Sequence, residues 1–140
     1  MKLDYPELNF VAIDFETATQ HAYSACAVGI VTVENGKITD EYHTLIRPPE
    51  NYYHYSNVRI HGINARDTWD KGTFADYYPE IQERLAGKIV VAHNEAFDRS
   101  VLKGCIGHYR LSAKGLLLHR EWECTVKRSR SLGYSPNKLS

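Results

Sequence analysis

Asn35-Gly36 lies between two β-like runs, and this dipeptide constrains the fold more than any other feature of the chain. Asn-Gly readily supplies the two left-handed residues that a two-residue hairpin turn requires. Ala25 to Val33 before it is apolar and rich in β-branched residues. Lys37 to Arg47 is therefore expected to return antiparallel beside it, with Pro48-Pro49 ending the strand. Phe10 to Phe15 is a short, nearly all-apolar run with β-branched members, which predicts a central strand covered on both faces. The front third thus reads as three strands, followed by a Tyr-rich loop from Asn51 to Asn64.

Helical spacing starts later. From Phe74 onward, Tyr77, Tyr78, Ile81 and Leu85 recur on one face until Gly87 stops the pattern. Pro79 leaves two possibilities: the helix begins near Tyr78, or an earlier turn is kinked there. Lys88 to Ala92 is a second apolar strand, and Asn94 is a good N-cap for a helix to about Gly107, striped by Phe97, Val101, Cys105 and Ile106. Leu116 to Leu118 fits a strand fragment or a packed linker, Glu123 to Thr125 a last short strand, and Thr125 the cap of a helix fading at Gly133.

This order predicts one α/β domain over residues 1–140: a mixed sheet with helices on its faces. A right-handed crossover would lay the Lys88 strand parallel to the first. Sites in such sheets lie beyond the carboxyl ends of the strands, where Asp14, Glu16 and Asn94 all fall.

Seventeen basic residues balance seventeen acidic ones, so any polyphosphate ligand must be held by local features rather than by a broad basic field. Cys26, Cys105 and Cys124 are odd in number and set in apolar sequence, which suits reduced thiols. The N-terminus has no apolar signal core and no run approaches about eighteen apolar residues, so the expectation is a soluble cytoplasmic protein without a membrane partner. Walker-type, dinucleotide and nucleophile-elbow motifs are absent from the sequence.

Asp14 and Glu16 carry the chemistry. At a strand period of two they share a face, with Phe15 on the other. Two like charges there need a cation or several donors, unless the strand has already reached solvent. Asp98, in the first turn of the Asn94 helix and three and four residues before Val101 and Leu102, should lean toward the sheet. Three converging carboxylates could hold two divalent cations, Mg²⁺ or Mn²⁺, about 4 Å apart for in-line phosphoryl transfer. The seven histidines show no ligand spacing with the cysteines, which argues against zinc. Tyr52, Tyr53, Tyr55 and Arg59 fit either a stacking surface for a single strand or rings folded onto the sheet edge.

The stretches Phe10-Val-Ala-Ile-Asp-Phe-Glu-Thr17 and Val91-Ala-His-Asn-Glu-Ala-Phe-Asp98 resemble the first and second motifs of the DEDDh exonuclease superfamily, which includes polymerase III proofreading epsilon subunits and RNase T-like enzymes. Val28-Gly-Ile-Val31, Ile60-His-Gly-Ile63, Arg99-Ser-Val-Leu102 and Trp122-Glu-Cys-Thr125 match in the expected order. The resemblance implies a ribonuclease H-like sheet and a two-metal 3′-to-5′ exonuclease acting on a DNA or RNA 3′ end, with a DNA polymerase subunit as a further partner. It gives Asp14, Glu16 and Asp98 the metal-carboxylate roles, Thr17 a hold on the terminal nucleotide, and His61 a place bordering the nucleotide pocket. Asn94 and Phe97 match the second motif; Phe97 is either a wall for a terminal base or part of the core.

The resemblance also implies a third motif, a His followed five residues later by an Asp. It is expected on a helix after the last short strand, where no such pair is found before Ser140, and the chain reads as ending ahead of it. His93 is expected to pack rather than to serve as the base. Losing a general base costs about 10²- to 10⁴-fold, so these 140 residues are expected to be inactive or nearly so. A catalytically silent nucleic-acid-binding or polymerase-associated module is the alternative from another class.

Overall fold

A computed structural model describes residues 8–116 and 122–124. Three N-terminal strands, β1 (Phe10–Thr17), β2 (Ala25–Glu34) and β3 (Lys37–Leu45), lead through a 3₁₀ turn at Pro49–Asn51 into helix α1 (Tyr55–His61). Helix α2 (Ala65–Thr68), helix α3 (Phe74–Leu85), strand β4 (Val90–Ala92), helix α4 (Glu95–His108) and strand β5 (Glu123–Cys124) follow. The strands form one sheet in the order β3-β2-β1-β4-β5.

The hairpin forms where expected. Asn35 and Gly36 take φ of 52° and 76°, and Glu34 pairs with Lys37 across the turn. β1 is antiparallel to β2 and parallel to β4, so the crossover through α3 lays β4 in the predicted direction. β3 ends at Leu45, two residues before the expected limit. Helix α3 runs through Pro79 from Phe74, so the later start near Tyr78 is not the one adopted.

Two expectations are corrected. β1 is central in the sheet, but it is covered on one face only among the described residues. Val11, Ile13 and Phe15 are buried, whereas Ala12 and Glu16 are partly open and Asp14 is exposed. The apolar run contains a small residue and two acids at every second position, and that half of the alternation faces outward. The Asn51 to Asn64 stretch is no simple loop, because α1 occupies its middle. His54 accepts the Ser56 amide to start α1, and Gly62 ends it in the left-handed region at φ 77°. The Ile60-His-Gly-Ile63 tetrapeptide is this helix end.

The core lies between the closed sheet face and the two long helices. Phe74, Tyr78, Ile81 and Leu85 of α3 and Val101, Leu102, Cys105 and Ile106 of α4 pack with Val11, Ile13, Phe15, Val28 and Ile30 in one cluster. Cys26 and Cys105 are buried and free, as the sequence implied. No helix of the described residues is long and apolar enough to cross a membrane. The expected cap at Thr125 and the helix to Gly133, and Leu117 and Leu118, lie outside the described residues.

Candidate active site

The carboxyl end of β1 sets the site. At Glu16–Thr17 the pairing with β2 slips by one residue, Glu16 facing Ala27 and Thr17 facing Ala25. The extra residue is Cys26, and the bulge is why Ala25 to Val28 are all buried instead of alternating. Cys26 Sγ reaches to 3.8 Å from His61 Nε2.

Asp98 leans toward the sheet as expected. It is 3% exposed, and its Oδ1 accepts the Phe15 amide at 2.9 Å, tying α4 to β1. Burial pushes its carboxyl up to about 7; the Phe15 amide opposes this, and the charges of Asp14 and Glu16 add to it. Burial and then the Asp14 charge raise Glu16, with His61 opposing. Asp14 is raised by desolvation against the sheet and lowered by His93. Asp98 thus feels the charges of both other acids, and Glu16 that of Asp14, in a partly dry environment, which is the electrostatic condition a cation would relieve.

The donor chemistry, three carboxylates, suits a hard divalent cation. The placement is less closed: no group of three or more His, Cys, Asp or Glu side chains among the described residues is gathered to hold a metal ion. Asp14 stands on the open sheet face with Ala12, Val91 and His93, whereas Glu16 borders a separate cavity of about 370 Å³. His93 is exposed there, which corrects the expectation that it packs. The β1–β4 register, with Ala12 opposite Val91, carries it outward beside Asp14.

Thr17, His61 and Phe97 line the cavity with Glu16. Ile63 N–H donates to His61 Nδ1 at 3.0 Å, so the ring proton sits on Nε2, which donates to the Thr17 carbonyl at 2.9 Å. Phe97 is 41% exposed and lines the cavity, so it is not a core residue.

Asn94 departs from expectation. α4 does start after it, and its carbonyl accepts the Phe97 and Asp98 amides, but its side chain makes no capping bond. Its ψ is 89°, against 137° at His54 and 176° at Asn64, the capping residues of α1 and α2. The acids Glu95 and Asp98 complement the helix end instead.

Asn57 was missed at the sequence level. Its amide donates to the Thr17 carbonyl at 3.1 Å and to Thr17 Oγ1 at 3.4 Å, and it lines the same cavity. The available signal was its spacing of four from His61, which becomes meaningful only once Tyr55–His61 is recognised as a helix.

A mixed sheet with this order and with carboxylates at its central strand end defines a ribonuclease H-like exonuclease fold of the DEDDh superfamily. Residues 11–104 match the RNase_T exonuclease family, and the chain belongs to it. It is 34% identical over 101 residues, 71% of its length, to the PolC-type DNA polymerase III of Thermotoga petrophila, and likewise 34% to that of Thermotoga maritima. The chain spans 7% of the length of these curated relatives. Among solved structures, Exonuclease X in complex with 5′ overhanging duplex DNA superposes at a TM-score of 0.64 with 29% identity, covering 88% of this chain and 63% of that one. Exonuclease I in the ExoI/SSB-Ct complex superposes at 0.77 over 89% of this chain and 30% of that one; at 15% identity this likeness is one of fold.

Proposed function

We propose that these 140 residues form one metal-dependent exonuclease domain that removes nucleotides from the 3′ end of single-stranded DNA in association with a DNA polymerase subunit, in the cytoplasm. The carrying observation is that Asp14, Glu16 and Asp98 all have raised carboxyls at the end of β1, with the charges of Asp14 and Glu16 both acting on Asp98, next to a cavity lined by Glu16, Thr17, His61 and Phe97. Membership of an exonuclease family and the likeness to PolC-type polymerases support this reading, and the free buried thiols suit a reducing compartment.

Asp14, Glu16 and Asp98 would hold two divalent cations, Mg²⁺ or Mn²⁺, which when bound supply water activation and neutralise charge on the leaving oxygen. The remaining groups orient. The Phe15 amide fixes one Asp98 oxygen. His61 and Asn57 hold the Thr17 carbonyl, which keeps Thr17 Oγ1 and Glu16 in a fixed relation at the strand end. Phe97 offers a ring face to a terminal base, and the cavity falls within the size range of small-ligand sites. RNA is the alternative substrate, since discrimination at the 2′-hydroxyl depends on pocket shape.

Turnover by these residues is expected to be slow, because His61 is committed to the Thr17 carbonyl and is not free to act as a base. That commitment, with the unclosed cation site among the described residues, favours a silent binding module as the second reading. The test is a 5′-labelled single strand incubated with Mn²⁺ at high protein concentration. The expected result is a ladder shrinking slowly from the 3′ end, lost with chelator or with Asp14→Ala. Binding without shortening would favour the silent module, and shortening indifferent to Asp14→Ala would overturn the assignment.

A further inference from the structure

Beyond the cavity beside Glu16, the turn between β1 and β2 carries an unusual pile of rings. His21 lies on Tyr23 with centroids 5.0 Å apart and planes 4° from parallel, and Tyr23 lies on His108 at 4.6 Å and 14°. His108 ends α4, so the pile is anchored to a long helix at its inner end. His21 is its exposed outer ring. The turn beneath it is fixed by backbone and hydroxyl bonds: Ser24 Oγ donates to the His21 carbonyl at 2.7 Å, and the His21 amide donates to Thr19 Oγ1 at 3.1 Å.

Thr19 and His21 line the Glu16 cavity and also two neighbouring clefts, one of about 270 Å³ running to Tyr52 and His54, the other of about 380 Å³ running to Tyr52, Glu50 and His108. The three share Thr19 and His21 as walls, so they lie side by side as a row of clefts that leaves Glu16 across His21. The middle cleft is lined by hydroxyls, amides, imidazoles and the ring of Tyr52, and no carboxylate borders it. Tyr52 is 60% exposed. His54 Nδ1 accepts from the Ser56 amide, so the ring proton lies on Nε2 as a donor. Flat exposed rings alternating with neutral donors, without acids, are the surface on which a single strand stacks its bases and rests its phosphates.

We propose that this row of clefts is an extended single-strand subsite, in which the nucleotide following the terminal one stacks on the outer face of the His21 imidazole and the strand continues past Tyr52 and His54. The inference rests on the exonuclease reading for its direction, since the terminal nucleotide is placed beside Glu16. The occupant is a single strand and not an apolar peptide, because the clefts adjoin the nucleotide cavity and the lining of the middle one, Thr19, Gln20, His21, Tyr52, His54, Ser56 and Asn57, offers stacking faces and donors and no aliphatic side chain.

The test measures binding of the full chain, by competition against a labelled oligonucleotide, to thymidine monophosphate and to oligothymidylates of two, four and six nucleotides, with chelator present to stop cleavage. Affinity is expected to rise with length up to about four nucleotides. His21→Ala should reduce the ratio of tetranucleotide to mononucleotide affinity by about 5- to 150-fold, the worth of one base stacked on a ring. Tyr52→Ala should reduce the same ratio, and His21→Phe should restore most of the His21→Ala loss, which separates stacking from any loss of folding. Mononucleotide binding with no gain from length, or a gain untouched by His21→Ala and Tyr52→Ala, would overturn this subsite while leaving the exonuclease reading intact. No binding at any length would overturn both.

Discussion

Asp98 concentrates the tension at the carboxylate end of β1. Its carboxyl is raised from the usual range of about 4 to about 7, chiefly by burial. Between those two values the folded chain holds a proton that the unfolded chain releases, so stability falls as pH rises from about 4 to about 7 and levels off above. Without divalent cations, Asp98→Asn is expected to remove this decline, since the amide oxygen can still accept the Phe15 amide while carrying no charge. The difference between wild type and variant should grow by about 2–3 kcal/mol from pH 4.5 to pH 8, read from urea unfolding in chelator. Parallel pH profiles for the two chains would show that Asp98 is not the group responsible. The inward lean of this residue was legible from its spacing to Val101 and Leu102, because helix periodicity fixes direction. The missing side-chain cap at Asn94 was not, because it depends on a ψ of 89° that composition does not encode.

Among the elements, α4 couples the core to the site. Its Gly104 lies against the β1–β2 turn, where an added Cβ would come within 2.9 Å of Ala22 Cβ and 3.1 Å of the Tyr23 nitrogen. These neighbours include backbone, so they cannot swing aside. Gly104→Ala is therefore expected to cost roughly 1–3 kcal/mol in urea unfolding. It should also weaken oligonucleotide binding, because Ala22 and Tyr23 carry the ring pile ending at His21. An unchanged unfolding midpoint would mean the turn is free to move away from α4. The strands and the two long helices were readable because Asn35-Gly36 and the Tyr78, Ile81, Leu85 spacing are local signals. α1 was hidden: it buries none of its residues, and its polar sequence gives no apolar stripe to detect. Recognising Asn57 as a partner of Thr17 depended on that helix.

For the whole molecule, the sheet divides the chain into a packed face and an open one. α3 and α4 cover Val11, Ile13 and Phe15, while Ala12, Asp14, Val31 and Val91 face outward among the described residues. The sequence predicted β1 as a strand buried on both sides because its residues are mostly apolar; the small side chain of Ala12 and the charge of Asp14 are what the run concealed. One consequence concerns cation binding. The chain has no net charge, so a divalent ion gains little from the overall field and must be held by the local carboxylates. If Asp14, Glu16 and Asp98 draw together around Mn²⁺, binding favours the folded state and adds about 2.7 kcal/mol at a hundredfold excess over the dissociation constant. For a chain of this size that corresponds to roughly 5–15 °C in Tm. The rise should saturate with Mn²⁺, be reversed by chelator, and disappear in Asp14→Ala, whose exposed position lets the fold survive the change. A Tm indifferent to Mn²⁺ in the wild type would mean that the three acids repel one another across the strand end without ever sharing an ion.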